Sequence, residues 1–369
     1  MIAQFQQLPK IAASTNLIPN LRINFFIRSH SIFQSLSKSP TSAMSSTMRV
    51  AVLHAPGGPE TLKLENRPIP SPKSGQVLIN IKAFGLNRSE LFTRQGHSPP
   101  SAVTLPRILG IEATGIVASC PAGEFKEGQR VATCMGGMGR LFDGGYAEYC
   151  VVPASQVQAV KTELEWEIMG AIPEMLQTSW GSLFKSLKLK KGDRLLVRGG
   201  TTSVGLAAAS IAHNYGCYVA GTTRRKDREA MMKSAGCDEV LVHDGHVSTQ
   251  LHEKEKFDKV LELVGTTTLL DSLQCVKEGG SVCMTGMVGN AWELQSFSPM
   301  DAIPTAVNLT TYAGGPEDFM ATPLEELCVQ IKEGKLSIKI GKVFRLEDIV
   351  EAHRVMEENS AGGKIVALT

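Results

Sequence analysis

The run DRLLVRGGTTSVG, residues 193–205, is the first pattern in this chain with a chemical consequence. Three apolar residues, 195–197, are typical of a short buried strand, and the alanine-rich stretch after 204 is typical of a helix. Between strand and helix lie glycines and hydroxyl side chains: Gly199, Gly200, Thr201, Thr202, Ser203, Val204 and Gly205. Such a turn places backbone N–H groups and a helix N-terminus where a pyrophosphate can bind. Thr202 replaces the middle glycine of G-x-G-x-x-G, so the turn needs support from its neighbours.

That support comes from the end of the next predicted strand, about 20 residues further on, where a dinucleotide site meets the adenosine ribose. The residues there are Thr222, Thr223, Arg224, Arg225 and Lys226. An NAD site has Asp or Glu at this point to bind the ribose 2′-hydroxyl. Arg224 and Lys226 suit the 2′-phosphate of NADPH instead, and Thr222 or Thr223 can add a hydrogen bond. We therefore predict NADPH as the cofactor; the alternative is a solvated basic loop before a helix.

The elements that would position these residues change in character along the chain. Residues 48–172 show short strands separated by Pro- and Gly-containing loops, which predicts an antiparallel, barrel-like module. From residue 173 the pattern alternates between strands and helices, which predicts βαβ units and a parallel sheet. Two helical stretches, 324–333 and 346–358, and a final strand, 364–368, close the chain.

Composition sets broad limits on function. The chain has 369 residues, 43% of them hydrophobic and 20% charged, which is enough for two domains with cores of their own. No stretch approaches the roughly 20 apolar residues of a membrane span, and a net charge of +2 gives no argument for a nucleic-acid partner.

None of the eight cysteines forms a C-x-x-C pair. We expect reduced, buried thiols and neither a disulfide framework nor a zinc finger.

The first 47 residues differ in charge from the rest. They contain four basic residues, nine serines and no acidic residue, a composition typical of an organelle transit peptide. We therefore expect a mitochondrial protein. The alternatives are a disordered extension, or translation from Met44 or Met48, which would leave the protein in the cytoplasm.

Several further segments occur in a recognisable order. They are GLNRSE at 85–90, PRILGIE at 106–112, GGYAEY at 144–149 and GGKIV at 362–366, together with Gly199, Thr202 and Gly205 in the register A-x-x-G-x-x-G. From Met48 to Thr369 the chain resembles the medium-chain dehydrogenase/reductase superfamily, on its quinone oxidoreductase side. The resemblance implies an α/β fold in which a GroES-like, β-rich catalytic domain is split around a Rossmann doubly wound parallel sheet. It also implies a homodimer.

We accordingly predict four segments. Residues 1–47 form the N-terminal extension, 48–172 the GroES-like catalytic domain, 173–315 the Rossmann NADPH-binding domain and 316–369 the return to the catalytic domain.

The resemblance also bears on metals. The catalytic zinc of the alcohol dehydrogenases in this superfamily is held by Cys, His and Cys at positions that fall here on Asn87, Ile111 and Glu174. Neither a thiolate nor an imidazole is left, and the cysteine-rich lobe of the structural zinc is reduced to Cys134. We predict no metal. Without one, nothing lowers the pKa of an alcohol, whereas a quinone or an enone is already electrophilic and can accept hydride from the cofactor.

The remaining site residues follow from the resemblance and from sheet topology. The resemblance implies that Asn87 lies at the nicotinamide and substrate edge, where its amide could bind a carbonyl oxygen. Tyr146 and His97 are candidate proton sources, although packing and surface display are commoner roles for such residues. Thr178 matches a family position near the nicotinamide, and Lys364 one that reaches the cofactor. Four more residues follow the fourth and fifth strands of the parallel sheet, at the carboxyl edge where ligands bind: Val264, Gly265, Gly286 and Val288.

The sequence thus predicts an NADPH-dependent, zinc-independent oxidoreductase acting on a small-molecule quinone or other α,β-unsaturated carbonyl compound. One alternative is an enoyl reductase of a fatty-acid pathway, but the tyrosine of its G-x-Y-P segment is missing from residues 96–99, GHSP. A dehydrogenase of specialised metabolism is a second alternative. A third is a non-catalytic NADPH-binding or RNA-associated protein. The third is disfavoured because the chain becomes slightly acidic once the four bases of residues 1–47 are set aside from its 38 basic and 36 acidic groups.

Overall fold

A computed structural model gives the fold of residues 46–252 and 256–369. The proposed transit segment, except for its last two residues, lies outside the described residues and stays a prediction. Within the two ranges, no helix combines the length and the apolar character needed to cross a bilayer. The eight cysteines all lie within these ranges and are free thiols; seven are buried and Cys120 is partly exposed.

Strands and helices alternate in the middle of the chain and strands dominate its first part. Within the described ranges the strands are β1 Thr47–Leu53, β2 Leu62–Pro68, β3 Gln76–Gly85, β4 Arg107–Ile108, β5 Glu112–Ser119, β6 Arg130–Cys134, β7 Tyr149–Pro153, β8 Val157–Ala159, β9 Arg194–Arg198, β10 Tyr218–Thr223, β11 Glu239–Val242, β12 Phe257–Glu262, β13 Val276–Met284, β14 Asn308–Thr311, β15 Ile340–Arg345 and β16 Lys364–Leu368. The α-helices are α1 Arg88–Arg94, α2 Trp166–Ala171, α3 Pro173–Trp180, α4 Ser203–Tyr215, α5 Glu229–Ser234, α6 Thr266–Gln274, α7 Pro299–Ala302, α8 Pro316–Ala321, α9 Leu324–Lys332 and α10 Ile349–Glu357.

The predicted parallel sheet is confirmed. Strands β9 to β14 pair in parallel in the order β11-β10-β9-β12-β13-β14, which is the order of the doubly wound nucleotide-binding fold. Leu195, Leu196 and Val197 in the central strand β9 are fully buried, since helices cover both faces of such a sheet. The chain leaves β9 in one direction and returns at β12 on its other side. Ligands bind at this switch point in doubly wound sheets.

The GroES-like part is a mostly antiparallel seven-stranded sheet in the order β15-β16-β3-β5-β6-β8, with β7 also paired to β3. A three-stranded sheet, β2-β1-β4, packs with it into one hydrophobic core. Strand β16 pairs with β3, and Val366 faces Gly85. The last segment of the chain therefore returns to the sheet that the first part begins, as a split domain requires. The segment boundaries given above stay predictions.

Helix α4 shows why the phosphate turn and the helix form together. Thr202 is its N-cap, and its hydroxyl accepts the N–H of Gly205. Gly216, at φ +94°, ends the helix in the left-handed region that glycine adopts most readily. Between these ends the helix buries Leu206 to Ala212 on nearly every side, so it is a core helix of the Rossmann part.

Helix α3 changes its hydrogen-bonding pattern beyond its C-terminal end. It is α-helical to Trp180 and continues as a π-helix, Gly181–Ser186. The Tyr312 hydroxyl donates to the Gln177 carbonyl, 3.3 Å away, and the Tyr312 ring lies where a side chain on Gly181 would be. A side chain that enters the hydrogen-bond ladder widens the turn, and π-turns are frequent at functional sites.

Candidate active site

The phosphate turn is held in shape by Thr202. Its hydroxyl donates to the Gly199 carbonyl at 2.9 Å and accepts from the Gly205 N–H at 3.0 Å. Gly205 must be glycine, because a Cβ there would lie 2.6 Å from the Gly199 oxygen. The Thr202 hydroxyl is thus used inside the turn. The N–H groups of Ser203 and Val204 lie in the first turn of α4, where N–H groups have no partner within the helix and suit an anion.

The end of β10 is tied to this turn. The Thr222 hydroxyl accepts the Gly199 N–H at 3.1 Å, and the Thr223 hydroxyl accepts the Arg225 N–H at 3.1 Å. Arg225 forms a bidentate pair with Asp227, at 2.9 and 2.5 Å. Arg224 and Lys226 are exposed, and neither forms an ion pair with any residue described. Two of the three basic residues therefore remain available at the predicted ribose position.

The loops after β12 and β13 lie against each other at the same edge of the sheet. Val288 N–H donates to the Leu263 carbonyl at 3.3 Å, and Gly289 N–H to the Val264 carbonyl at 2.8 Å. A Cβ on Gly286 would lie 2.3 Å from the Leu263 oxygen. The structure thus brings Val264, Gly265, Gly286 and Val288 together beside the phosphate turn, as the topology predicts.

Sequence reasoning missed Glu262 and Arg198, which end the two central strands and are fully buried. The Glu262 carboxylate accepts the N–H groups of Val264 and Gly265, at 2.7 and 3.0 Å, and so holds the loop that starts α6. Burial raises the pKa of Glu262, while its hydrogen bonds oppose the rise. Arg198 pairs with Asp271 at 2.5 Å. The available signal was a charged residue closing an otherwise apolar strand.

A largely buried polar cluster lies where the start of α1, β5, α3 and β16 meet. We call Asn87, Glu90, Glu112, Glu174 and Lys364 the Asn87 cluster. Lys364 Nζ donates to Asn87 Oδ1 at 2.5 Å and pairs with Glu112 at 3.0 Å and Glu174 at 3.7 Å. Asn87 Nδ2 donates to Glu112 at 2.9 Å and to Glu90 at 3.3 Å. All the hydrogen-bonding atoms of the Asn87 amide have partners, so binding a substrate carbonyl would require one of these bonds to break.

The cluster sets the protonation states of its members. Burial would lower the pKa of Lys364, but the carboxylates of Glu112 and Glu174 outweigh burial and raise it. Burial and the charge of Glu112 raise the pKa of Glu90 to about 7. One Glu90 oxygen, Oε2, is buried without a hydrogen-bond partner among the residues described. Lys364 is therefore an ammonium, and Glu90 carries a proton much of the time near neutral pH.

Comparison with known proteins agrees with this geometry. A sequence model for the alcohol dehydrogenase GroES-like domain matches residues 73–162, and one for zinc-binding dehydrogenases matches residues 235–366. The quinone oxidoreductase of Homo sapiens is 29% identical over 330 residues, 87% of this chain and 98% of that protein. That of Lama guanicoe is 30% identical over 322 residues, 85% of this chain and 94% of that protein.

The chain belongs to the medium-chain dehydrogenase/reductase superfamily, in its quinone oxidoreductase-like subfamily. A solved structure of the mycobacterial protein Rv1454c, described as complexed with NADPH, superposes with a TM-score of 0.76 at 26% identity. It covers 87% of this chain and 100% of that one. The predicted family and fold class are thereby confirmed, and with them an oxidoreductase of the nicotinamide-dependent kind.

The structure shows what the residues at the candidate zinc-ligand positions contact. Asn87 and Glu174 stand at two of the three positions that the resemblance gives to zinc ligands, and both contact the Lys364 ammonium. In the described part of the chain, no group of three or more His, Cys, Asp or Glu side chains is arranged to hold a metal ion. A cation of the protein's own thus lies between these two side chains. The expected contact of Lys364 with the cofactor stays a prediction.

Tyr146, a candidate proton source, is fully buried outside the Asn87 cluster. Its hydroxyl lies 3.0 Å from His353 Nε2, and Arg94 Nε donates to His353 Nδ1 at 3.2 Å. Burial and Arg94 lower the pKa of His353 to about 3. His353 is therefore neutral and donates from Nε2 to the Tyr146 oxygen. Burial raises the pKa of Tyr146 far above its ordinary value, which favours a packing role; its assignment as a proton source stays a prediction.

His97, the other candidate, is exposed and lines a cavity of about 200 Å³ between α1 and the loop after β13. Phe92 and Trp292, which both line this cavity, contact each other edge to face with ring centroids 4.4 Å apart. Arg88 adds a hydrogen bond to Asn290 at 3.2 Å. Trp292, half exposed, is a candidate substrate contact that no sequence pattern indicated.

Proposed function

We propose that this chain is an NADPH-dependent oxidoreductase that reduces quinones or other α,β-unsaturated carbonyl compounds without a metal ion. The observation that carries the proposal is the end of β10. Where an NAD enzyme has a carboxylate for the ribose 2′-hydroxyl, Arg224 and Lys226 are exposed and form no ion pair with a described residue. The relatives named quinone oxidoreductase, and the neighbour solved with NADPH, support the same reading.

The donor groups at the sheet edge fit a dinucleotide. The N–H groups of Ser203 and Val204 suit its pyrophosphate, and the strand-end residues 264–265 and 286–288 form the floor on which the rest of the molecule would lie. When bound, NADPH supplies a hydride. The protein then has to bind the acceptor, exclude water and stabilise the negative charge that develops on the acceptor oxygen.

The residue types favour reduction of activated acceptors over oxidation of alcohols. An alcohol needs a Lewis acid to lower the pKa of its hydroxyl group, and Asn87 and Glu174 are engaged with an ammonium. A quinone or an enone needs no such activation, because its carbonyl already polarises the carbon that receives the hydride. The contacting rings of Phe92 and Trp292 form an aromatic part of the cavity lining against which a flat acceptor could pack.

Two further proposals come from the sequence. We propose a homodimer, to be tested by light scattering on the purified protein. We also propose mitochondrial import, to be tested by fusing residues 1–47 to a fluorescent reporter, with a chain starting at Met48 as the control.

The central experiment is an oxidation assay with NADPH and with NADH over a panel of quinones, enones and enoyl thioesters, accompanied by metal analysis of the same sample. We expect a preference for NADPH and turnover with quinones or enones. A preference for NADH, or stoichiometric zinc, would refute the proposal. Enoyl thioesters as the only acceptors would move the chain to the enoyl reductase alternative, and NADPH binding without turnover would identify a non-catalytic protein.

A further inference from the structure

A row of polar side chains on α3 and the π-helix that continues it connects the Asn87 cluster with the edge of the parallel sheet. Glu174 and Thr178 are one helical turn apart and share a face, and the Thr178 hydroxyl donates to Glu174 Oε1 at 2.9 Å. Ser182, one turn further, lies 3.0 Å from the Thr285 hydroxyl, directly after β13. Because ligands of doubly wound sheets bind at this carboxyl edge, the row extends from a buried carboxylate cluster to the predicted nicotinamide position.

A second contact fixes the same helix against the phosphate turn. The Ser179 hydroxyl, next to Thr178, donates to the Val204 carbonyl at 3.1 Å. Helix α3 and the π-helix that continues it are thus anchored at the phosphate turn and just after the fifth strand, β13. Thr178 directly precedes the first of these anchors and is only partly buried.

Glu174 is the outermost carboxylate of the Asn87 cluster. Its side chain is 18% exposed, whereas that of Glu112 is fully buried and Glu90 is 2% exposed. Glu174 can therefore exchange protons with water, and the cluster behind it can stabilise either of its charge states.

We propose that Glu174 delivers, through the Thr178 hydroxyl, the proton that the reduced acceptor requires; this rests on the proposed function. Hydride addition to a quinone or an enone leaves an oxyanion. The Thr178 O–H bond breaks and its proton goes to that oxyanion, while Thr178 Oγ1 takes the proton of the Glu174 carboxyl group. The Glu174 carboxylate then regains a proton from water. No electrons move in this step, and the net transfer is one proton from water to the product.

The surroundings of Glu174 set the direction of its pH dependence. Titratable groups around it are Lys364 on β16, Glu112 on β5 with Glu90 behind it on α1, Cys134 on β6 and Tyr312 after β14. Burial and Glu112 raise the pKa of Glu174, and Lys364 opposes them without cancelling the rise. The acid form is therefore present at higher pH than for an ordinary glutamate, and proton delivery falls as the pH rises through the Glu174 pKa.

The test uses Glu174→Gln and Thr178→Val, with Thr178→Ser as the matched control that keeps the hydroxyl. With saturating NADPH and menadione or methyl vinyl ketone as acceptor, kcat of the wild type should fall as the pH rises. In Glu174→Gln and Thr178→Val, kcat should drop about 100-fold and lose most of its pH dependence, whereas Thr178→Ser should retain the pH profile. NADPH affinity is measured by fluorescence titration so that kcat is compared at saturating cofactor in all four proteins.

A second readout needs no turnover. Infrared difference spectra of the cofactor-free protein between acid and alkaline pH should show the carbonyl band of a protonated carboxyl group that disappears in Glu174→Gln. The band should shift in Thr178→Val and stay in place in Thr178→Ser. If Glu174→Gln fails to fold, the two Thr178 variants still decide.

Unchanged kcat–pH profiles in Glu174→Gln and Thr178→Val, with an active wild type, would overturn this assignment alone. So would a carboxyl band that does not respond to either Thr178 variant. A wild type that oxidises NADPH with neither acceptor would overturn the proposed function and this assignment with it.

Discussion

Replacing Lys364 by Met removes the only cation of the Asn87 cluster and leaves a side chain of similar length. Glu112, fully buried, then loses its ion pair at 3.0 Å, and Asn87 loses the donor to its amide oxygen. Removing one partner of a buried ion pair costs about 3–5 kcal/mol, because the other charge stays buried and uncompensated. In a protein of this size we expect the melting temperature to fall by roughly 4–7 °C.

The fall in melting temperature should depend on pH, and the charges of the Asn87 cluster determine the direction. Burial and Glu112 already raise the pKa of Glu174, and removing the ammonium raises it further. A carboxyl group with a raised folded-state pKa destabilises the fold at pH values above its ordinary pKa, and this destabilisation disappears as the pH falls. The wild-type Lys364 pKa is itself raised, so its ammonium is constant over the whole range. The difference in melting temperature should thus be largest near about pH 8 and smaller near about pH 5.

The assay is differential scanning calorimetry of the wild type, Lys364→Met and the double variant Lys364→Met/Glu112→Gln. The double variant should recover part of the loss, because it removes the charge that Lys364→Met leaves unpaired. Equal losses at the two pH values, or a double variant less stable than Lys364→Met, would refute the charge argument and leave only a packing effect.

The remaining predictions concern the cofactor and the buried tyrosine. Arg224→Ala should raise the KM for NADPH about tenfold or more and leave the KM for NADH unchanged, since a charge-assisted hydrogen bond to the 2′-phosphate is lost. Arg225 is already paired with Asp227, so the control variant Arg225→Ala should change neither KM. Steady-state kinetics with both cofactors measure these values. Gly205→Ala should weaken NADPH binding in a fluorescence titration, because its Cβ would lie 2.6 Å from the Gly199 oxygen; unaltered affinity would show that the turn can relax. Tyr146→Phe should lower stability by about 1 kcal/mol through the lost bond to His353 without changing kcat, and a large fall in kcat would restore Tyr146 as a proton source.

The fold was predictable because its signals are local. Alternating apolar strands and helices indicated the parallel sheet, and the final strand, β16, has the predicted bounds, 364–368. The π-helix after Trp180 was not predictable, because the side chain that contacts it, Tyr312, is more than a hundred positions away in the sequence. Long-range contacts of this kind leave no trace in local periodicity.

In the candidate site too, the residues that are close in sequence were predictable and the long-range contacts were not. The phosphate turn and the basic end of β10 are contiguous in sequence, and sequence reasoning indicated both. The Asn87 cluster joins residues from α1, β5, α3 and β16, and Lys364 is 277 positions from Asn87. The resemblance named Asn87 and Lys364 separately but not their contact, and nothing in the sequence indicated that Glu90 would be buried with one unpartnered oxygen.

The charge balance of the Asn87 cluster argues for a functional role. Three carboxyl groups and one ammonium are buried together, although apolar residues of similar volume often stabilise a fold as well or better than buried ions do. Three features lower the free-energy cost of burying these charges. Glu90 holds a proton near neutral pH, and Glu112 accepts hydrogen bonds from Asn87 and from the Glu174 N–H. Glu174 keeps some contact with water. The result is a series of carboxyl groups that runs from buried and protonated to partly exposed. Perturbed groups of this kind cluster at functional sites, and this series ends at Glu174, which accepts a hydrogen bond from Thr178, the residue that matches a family position near the nicotinamide.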